Sequence, residues 1–287
     1  MRLFFAPITI CVVLAGMLGL ARGSTPAPAP AATQVSDADG IQRSDYTTQL
    51  PAGRAILIDN PYGDVHVRFG GFAHVVDTHA VLQQSNAAAK IALEPGNDQN
   101  FYFVVPRLPA GATLAEGQRL DLSVLVPEGH ALKVRTGAGD IEVRGVHGDV
   151  DLKSDSGNIS LRGISGIIKA ETGAGRIEAS LGKAPAKSTQ RLATRTGEVI
   201  VAVDDTLDAE VELATSGVFA TEYSLHVTQR PGEEPNKRAR SVIGRDTARV
   251  ALESKRGEIR LLRRASFVTA NGKHIAASPE TEDNDSD

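Results

Sequence analysis

The sequence predicts an all-β protein: a single-stranded parallel β-solenoid (β-helix) with short glycine-cornered coils of about 18–22 residues and a wider N-terminal β portion. Three observations predict it. Gly139, Gly148, Gly157, Gly166 and Gly175 recur every nine residues. Each precedes a short run in which apolar and polar residues alternate, the two-residue period of a strand. Finally, the 287 residues include 28 Gly and 14 Pro but only eight Phe, four Tyr and no Trp. That composition favours turns and flat aliphatic packing over long helices.

Taken in chain order, Met1 and Arg2 precede an apolar run from Leu3 to Leu20 that closes in Ala21-Arg22-Gly23. This is the layout of a secretory signal peptide over residues 1–23. Pro7, Gly16 and Gly19 make the run a poor permanent span. A lipid anchor needs a cysteine just after the small-residue motif, and the single cysteine, Cys11, lies mid-run. The expected location is therefore outside the cytoplasm: periplasm, cell surface or extracellular space. A mature chain without a thiol suits an oxidising compartment. Residues 24–45 read as an Ala/Pro-rich linker. The solenoid domain is expected over 46–268. An acidic disordered tail follows over 269–287, where Glu280, Glu282, Asp283, Asp285 and Asp287 crowd together.

Within the domain, Ala55-Ile56-Leu57-Ile58 and Gly63-Asp64-Val65-His66-Val67 flank the turn Asp59-Asn60-Pro61-Tyr62. Further strands are expected at 73–82, 89–94, 101–106 and 119–126, and Ser85–Lys90 is at most a helical turn or two. The regular coils follow. Ile141/Val143, Val150/Leu152, Ile159/Leu161, Ile168/Ala170 and Ile177/Ala179 should face inward, with Glu142, Asp151, Ser160, Lys169 and Glu178 outward. Such short units bury an apolar face only by stacking on neighbours. Gly197, Gly217 and Gly257 continue the corners, with Gly257 about two units beyond Gly217 and loops at 183–191 and 229–246. Glycine is expected at these corners because it accepts positive φ and lets coils approach closely.

Asn60-Pro61-Tyr62-Gly63-Asp64-Val65-His66-Val67, Pro127-Glu128-Gly129, Thr136-Gly137-Ala138-Gly139-Asp140-Ile141 and Ser156-Gly157-Asn158-Ile159 together resemble the bacterial secreted "putative adhesin" family of domains of unknown function. The resemblance spans about residues 53–262. It implies a β-solenoid and brings no catalytic residues with it. Gly166-Ile167-Ile168-Lys169 departs from the pattern, with Ile167 in place of the usual Asp or Asn.

Little chemistry is written into the chain. Calcium β-rolls need paired glycines and a regular Asp, whereas the residues after the five glycines are Asp140, Asp149, Asn158, Ile167 and Arg176. Outward acids that could cleave a glycan (Asp140, Glu142, Asp149, Asp151, Glu178) alternate with Ser160, Lys169 and Arg176, the pattern of a solvated face. The seven histidines are scattered, and His74 and His79 fall on opposite faces of a strand. Gly163-Ile164-Ser165-Gly166 is one residue short of a nucleophile elbow. No catalytic, metal or cofactor residues are therefore assigned. A net charge of −4 offers no field for nucleic acid. One loop is basic, through Arg230, Lys237, Arg238, Arg240 and Arg245, diluted by Glu233 and Glu234.

The expected function is a non-enzymatic, exported, adhesin-like binding module of the cell envelope, presenting flat faces to a glycan or protein partner. The alternatives are an envelope scaffold acting through a protein partner, or a polysaccharide-cleaving β-helix enzyme.

Overall fold

The structure, a computed structural model, describes residues 31–36, 40–85, 88–245, 247–264, 267–270 and 273–276. The expected signal peptide and the acidic block at 280–287 lie outside the described residues. The N-terminal portion contributes β1 (Ala31–Ser36), β2 (Ile41–Gln49), β3 (Ala55–Asn60), β4 (Val65–Phe69), β5 (Val75–Gln83), β6 (Gly96–Asn97), β7 (Phe101–Val104) and β8 (Arg119–Val126). The regular coils are built from β9 (Leu132–Thr136), β10 (Ile141–Arg144), β11 (Val150–Ser154), β12 (Ile159–Arg162), β13 (Ile168–Thr172), β14 (Ile177–Leu181), β15 (Thr189–Thr194) and β16 (Val199–Val203). The C-terminal part holds β17 (Ala209–Thr215), β18 (Phe219–Thr221), β19 (His226–Gln229), β20 (Lys237–Ile243), β21 (Ala248–Ser254) and β22 (Ile259–Arg263). A separate hairpin pairs β23 (Phe267–Ala270) with β24 (Lys273–Ala276). No α-helix occurs among the described residues.

Two 11-stranded sheets enclose one aliphatic core. The first runs β1-β2-β5-β8-β4-β10-β12-β14-β16-β22-β18; the second runs β19-β20-β17-β21-β15-β13-β11-β9-β3-β7-β6. Successive coils pair in parallel, with Ile141 opposite Ile159 and Ile159 opposite Ile177. The inward residues read from the sequence are all buried: Ile141, Val143, Val150, Leu152, Ile159, Leu161, Ile168, Ala170, Ile177 and Ala179. Each large aliphatic among them contributes roughly 1.5–3 kcal/mol.

Four expectations need correction. The linker boundary at residue 45 falls inside β2, which pairs antiparallel with β5 and buries Ser44, Tyr46 and Thr48 on alternate positions. The strand expected at 89–94 reduces to a single bridge between Ala92 and Arg107. The glycines at the corners do not use positive φ, for a reason given below.

The fourth correction concerns winding order. The coil of β21 and β22 does not stack beyond that of β17 and β18. It inserts between the β15/β16 coil and the β17/β18 coil, pairing in parallel with both. The N-terminal end mirrors this: β3 and β4 lie between the β9/β10 coil and the later strands β7 and β8. Insertion is sterically permitted because each coil presents the same corner and the same strand pairing to either neighbour.

Candidate functional site

The corners explain the sequence pattern. Between second-sheet and first-sheet strands, Gly63, Gly139, Gly157, Gly175, Gly197, Gly257 and Gly217 form a column. A Cβ on Gly157 would lie 2.0 Å from the Gly139 carbonyl oxygen, and one on Gly175 would lie 2.0 Å from that of Gly157. Close approach of backbone to backbone is what demands glycine here. At the opposite corners the same holds for Gly148 over the His130 carbonyl (2.3 Å) and Gly166 over that of Gly148 (2.2 Å). The left-handed glycines of the regular coils are instead Gly145 and Gly163, both at φ 66°.

Two polar ladders accompany the glycine column. Inside the corner runs a buried hydroxyl ladder: Thr136, Ser154, Thr172, Thr194, Ser254 and Thr215. The Thr172 hydroxyl donates to the Gly157 carbonyl (2.9 Å) and accepts the Gly175 N–H (3.1 Å), so two buried main-chain groups are satisfied at once. Outside it, Asp64, Asp140 and Asn158 each accept a main-chain N–H from the next coil, those of Asp140, Asn158 and Arg176 at 2.7–2.9 Å. Asp149 does the same for the Ile167 N–H at 2.8 Å. Arg176 and Ile167 end these ladders because neither side chain can accept a hydrogen bond. The hydroxyl ladder carries a readable signal, Ser or Thr three residues before a corner glycine (two in the case of Thr215 and Gly217), that glycine counting alone passes over.

The outward faces are laced by ion pairs between coils and, at Glu142 and Arg144, within one strand. Glu142 meets His66 (3.1 Å) and Arg144; Arg162 meets Glu178 (2.9 Å); Arg135 meets Asp151 (3.1 Å). Half-exposed pairs like these contribute little stability, about 0–1 kcal/mol each, but they fix where the charges stand. The sequence-derived acids thus divide into N–H acceptors (Asp140, Asp149) and Arg partners (Glu142, Asp151, Glu178). No cluster of three metal-ligating side chains occurs among the described residues. The carboxyls held below their ordinary range lie elsewhere. The main-chain N–H groups of Phe101 and Asn100 lower Asp98, and the Arg245 N–H and guanidinium lower Asp208. Burial raises the Tyr102 phenol.

The two outer faces are not equally flat. On the second sheet, near its C-terminal end, a groove of about 470 Å³ crosses β15, β21, β17, β20 and β19. Its floor is low because Ala251 and Ala214 stand where neighbouring coils place long side chains. Arg191, Arg238 and Arg240 rise around it, together with Glu212 and Glu253, and His226 lies at its edge. Arg191 bridges Glu171 (3.3 Å) and Glu253 (3.2 Å); Arg240 reaches Glu210 at 2.5 Å. The segment 229–246, expected as a loop, instead contains β20, paired with β17 and β19; of its cations Arg230, Arg238 and Arg240 line the groove, while Lys237 turns away to donate to the Gly217 carbonyl. Arg245 binds Asp208 beside a second recess of about 480 Å³. The eight corner glycines take no part in the groove.

Two solved structures resemble the chain at low identity. A crystal structure of a "putative cell adhesion protein" from Clostridium sporogenes ATCC 15579 is 12 % identical, with a TM-score of 0.45, over 77 % of this chain and 99 % of that one. A "putative adhesin" from Bacteroides fragilis NCTC 9343 is 10 % identical, with a TM-score of 0.40, over 77 % of this chain and 96 % of that one. No curated protein matches the chain. The family model described as Toastrack DUF4097 matches residues 113–262, from just before β8 to the end of β22 and just over half of the chain. The chain belongs to the Toastrack DUF4097 family, a β-solenoid family of unknown function.

Proposed function

We propose that this protein is an exported, adhesin-like binding module of the cell envelope that holds a glycan or protein partner without transforming it. The observation that carries the reading is the state of the outward carboxylates. Catalysis needs acids and bases with shifted pKa values gathered in a partly buried pocket. Here Asp140 and Asp149 accept main-chain N–H groups, and Glu142, Asp151 and Glu178 are held by arginines on open faces. What the molecule offers instead is two rigid polar faces with charges at fixed intervals. Individually weak contacts add along such a face when the ligand is repetitive.

The test is incubation of the protein with bacterial and plant polysaccharides and with peptidoglycan, measuring retention and product formation together. Retention without new reducing ends or unsaturated products is expected. Products abolished by changing Asp140, Asp149 or Asp151 would overturn the reading. Export is checked by the N-terminus of protein recovered from the envelope fraction, expected just after Ala21 or Gly23.

One feature favours action through a protein partner as a second reading. Among the described residues, strand β19 pairs with β20 on one side only, and all four of its residues are exposed. An open edge of this kind can accept a strand from another chain.

A further inference from the structure

We propose that the groove over Ala214 and Ala251 is a binding site for a uronate-bearing polysaccharide, an inference that rests on the binding-module reading above and names its ligand. The argument begins with registration. Arg240 stands opposite Glu212, Glu212 opposite Ala251, and Ala251 opposite Arg191. The adjacent row on the same face reads Arg238, Ala214, Glu253 and Ala193. Each row therefore has an alanine between a cation and an acid, and the two alanines lie diagonally across the neighbouring strands β17 and β21. They form the floor.

The charges around that floor are unequal in availability. Arg191 and Arg240 are each braced by two carboxylates, which orient their guanidinium groups. Arg238 is exposed and has no ion pair among the described residues. An exposed arginine beside an apolar floor, with braced arginines in the adjacent row, is suited to two-pronged recognition of a planar carboxylate.

Spacing selects a polymer over a single anion. Arg238 and Arg240 are two residues apart on one strand, about 7 Å. Arg240 and Arg191 are three strand steps apart in register, about 14 Å. One small anion cannot reach all three, whereas a chain with a carboxylate on successive units can.

The acids select among polymers. Glu212 and Glu253 stand within the same groove. They repel a chain that offers only negative groups, such as polyglutamate or polyphosphate. Uronate rings carry both carboxylates, for the arginines, and hydroxyl donors, for Glu212, Glu253 and the Thr228 hydroxyl. A peptide would gain less, because the face of a sheet, unlike its edge, has no main-chain groups free to pair with it.

The experiment compares de-esterified polygalacturonate, its methyl ester, dextran, polyglutamate and polyphosphate for binding to the protein at fixed ionic strength. Polygalacturonate is expected to bind, with the methyl ester and dextran weaker by about tenfold or more, the loss of charge-assisted contacts. Arg238→Glu and Ala251→Phe should each weaken polygalacturonate by about tenfold, the first by reversing the unpaired charge and the second by filling the floor. Arg238→Lys should retain part of the affinity, and Arg68→Glu, on the other sheet, should change nothing. Equal binding of dextran or the methyl ester, tighter binding of polyglutamate or polyphosphate, or an Arg238→Glu variant that binds normally would overturn the inference. Cleavage of polygalacturonate would overturn the non-catalytic reading instead, leaving the ligand class standing.

Discussion

Replacing Gly157 with alanine isolates the physical basis of the coil corner. The added Cβ would lie 2.0 Å from the Gly139 oxygen, and the obstacle is main chain that cannot rotate aside. To reach even 3.0 Å, a separation real Cβ atoms rarely go below, the two coils must part by about 1 Å locally. The bonds sharing that corner are the Asp155 N–H to the Gly137 carbonyl (3.0 Å), the Asn158 N–H to Asp140 (2.7 Å) and the Ser154 hydroxyl to Gly139 (3.3 Å). Weakening two or three of them at about 1 kcal/mol each, with about 1–3 kcal/mol of overpacking strain, gives a loss of about 3–6 kcal/mol. The control is Gly53→Ala. There φ is +79° but nothing lies within 4 Å, so the cost is only the left-handed backbone penalty, about 1–2 kcal/mol. Urea titrations of both variants should show the Gly157→Ala midpoint well below that of Gly53→Ala at unchanged slope. A Gly157→Ala midpoint equal to or above the control would mean that the coils do not touch at the corner.

Other outcomes follow from the same geometry. Ile159→Asp should cost several kcal/mol, since it buries an unpaired charge between Ile141 and Ile177; Ser160→Thr, on the outward face between Glu142 and Glu178, should stay within about 0.5 kcal/mol, and similar losses would invalidate the facing assignment. Thr172→Val keeps the shape but strands the Gly157 carbonyl and the Gly175 N–H, at about 1–3 kcal/mol, and Thr172→Ser should restore most of it in the same titration. Asp208 is held below its ordinary pKa by the Arg245 N–H and then by its guanidinium. Its contribution is therefore complete above the unfolded-state value and disappears as pH falls through the lower folded value. Asp208→Asn should accordingly be the less stable protein at pH 7, with the gap to the parent starting to close near the ordinary carboxylate value of about 4 and vanishing only below the lower folded value, as read by thermal melts across pH. Amides of β21 and β22 should exchange as slowly as those of β11 and β12 despite their late place in the chain, with β18 and β19 much faster; fast exchange throughout β21 would contradict the insertion.

Much of this fold is legible in the residues themselves. The nine-residue glycine spacing, the alternation at Ile159-Ser160-Leu161 and the Asp or Asn after the corner each encode one local constraint, and each constraint repeats. Spatial order is not encoded in the same way. Val218-Phe219 after Gly217 and Glu258-Ile259 after Gly257 offer the same strand start to a neighbouring coil, so nothing local says which lies inside. The groove inherits that ambiguity. Ala251 meets Arg191 from a coil 60 residues earlier because of the insertion, and in the linear sequence it is one more outward alanine. The corner glycines were legible as corners, yet their cause is the carbonyl one coil below, a partner that appears only after stacking.

The inserted coil also changes how the molecule answers to force. In a solenoid wound strictly in order, tension on the C-terminus would peel the outermost coil, breaking its bonds one after another like a zipper. Here β22, the last strand of the two large sheets, is clamped between β16 and β18, and β21 before it is clamped between β15 and β17. Tension along these strands must slide them out lengthwise, loading the parallel bonds on both flanks together. The β17/β18 coil outside them bears none of the load directly and acts as a cover plate. A chain built this way resists extraction of β21 and β22 more than that of β1, an edge strand whose one neighbour among the described residues is β2 and which can unzip.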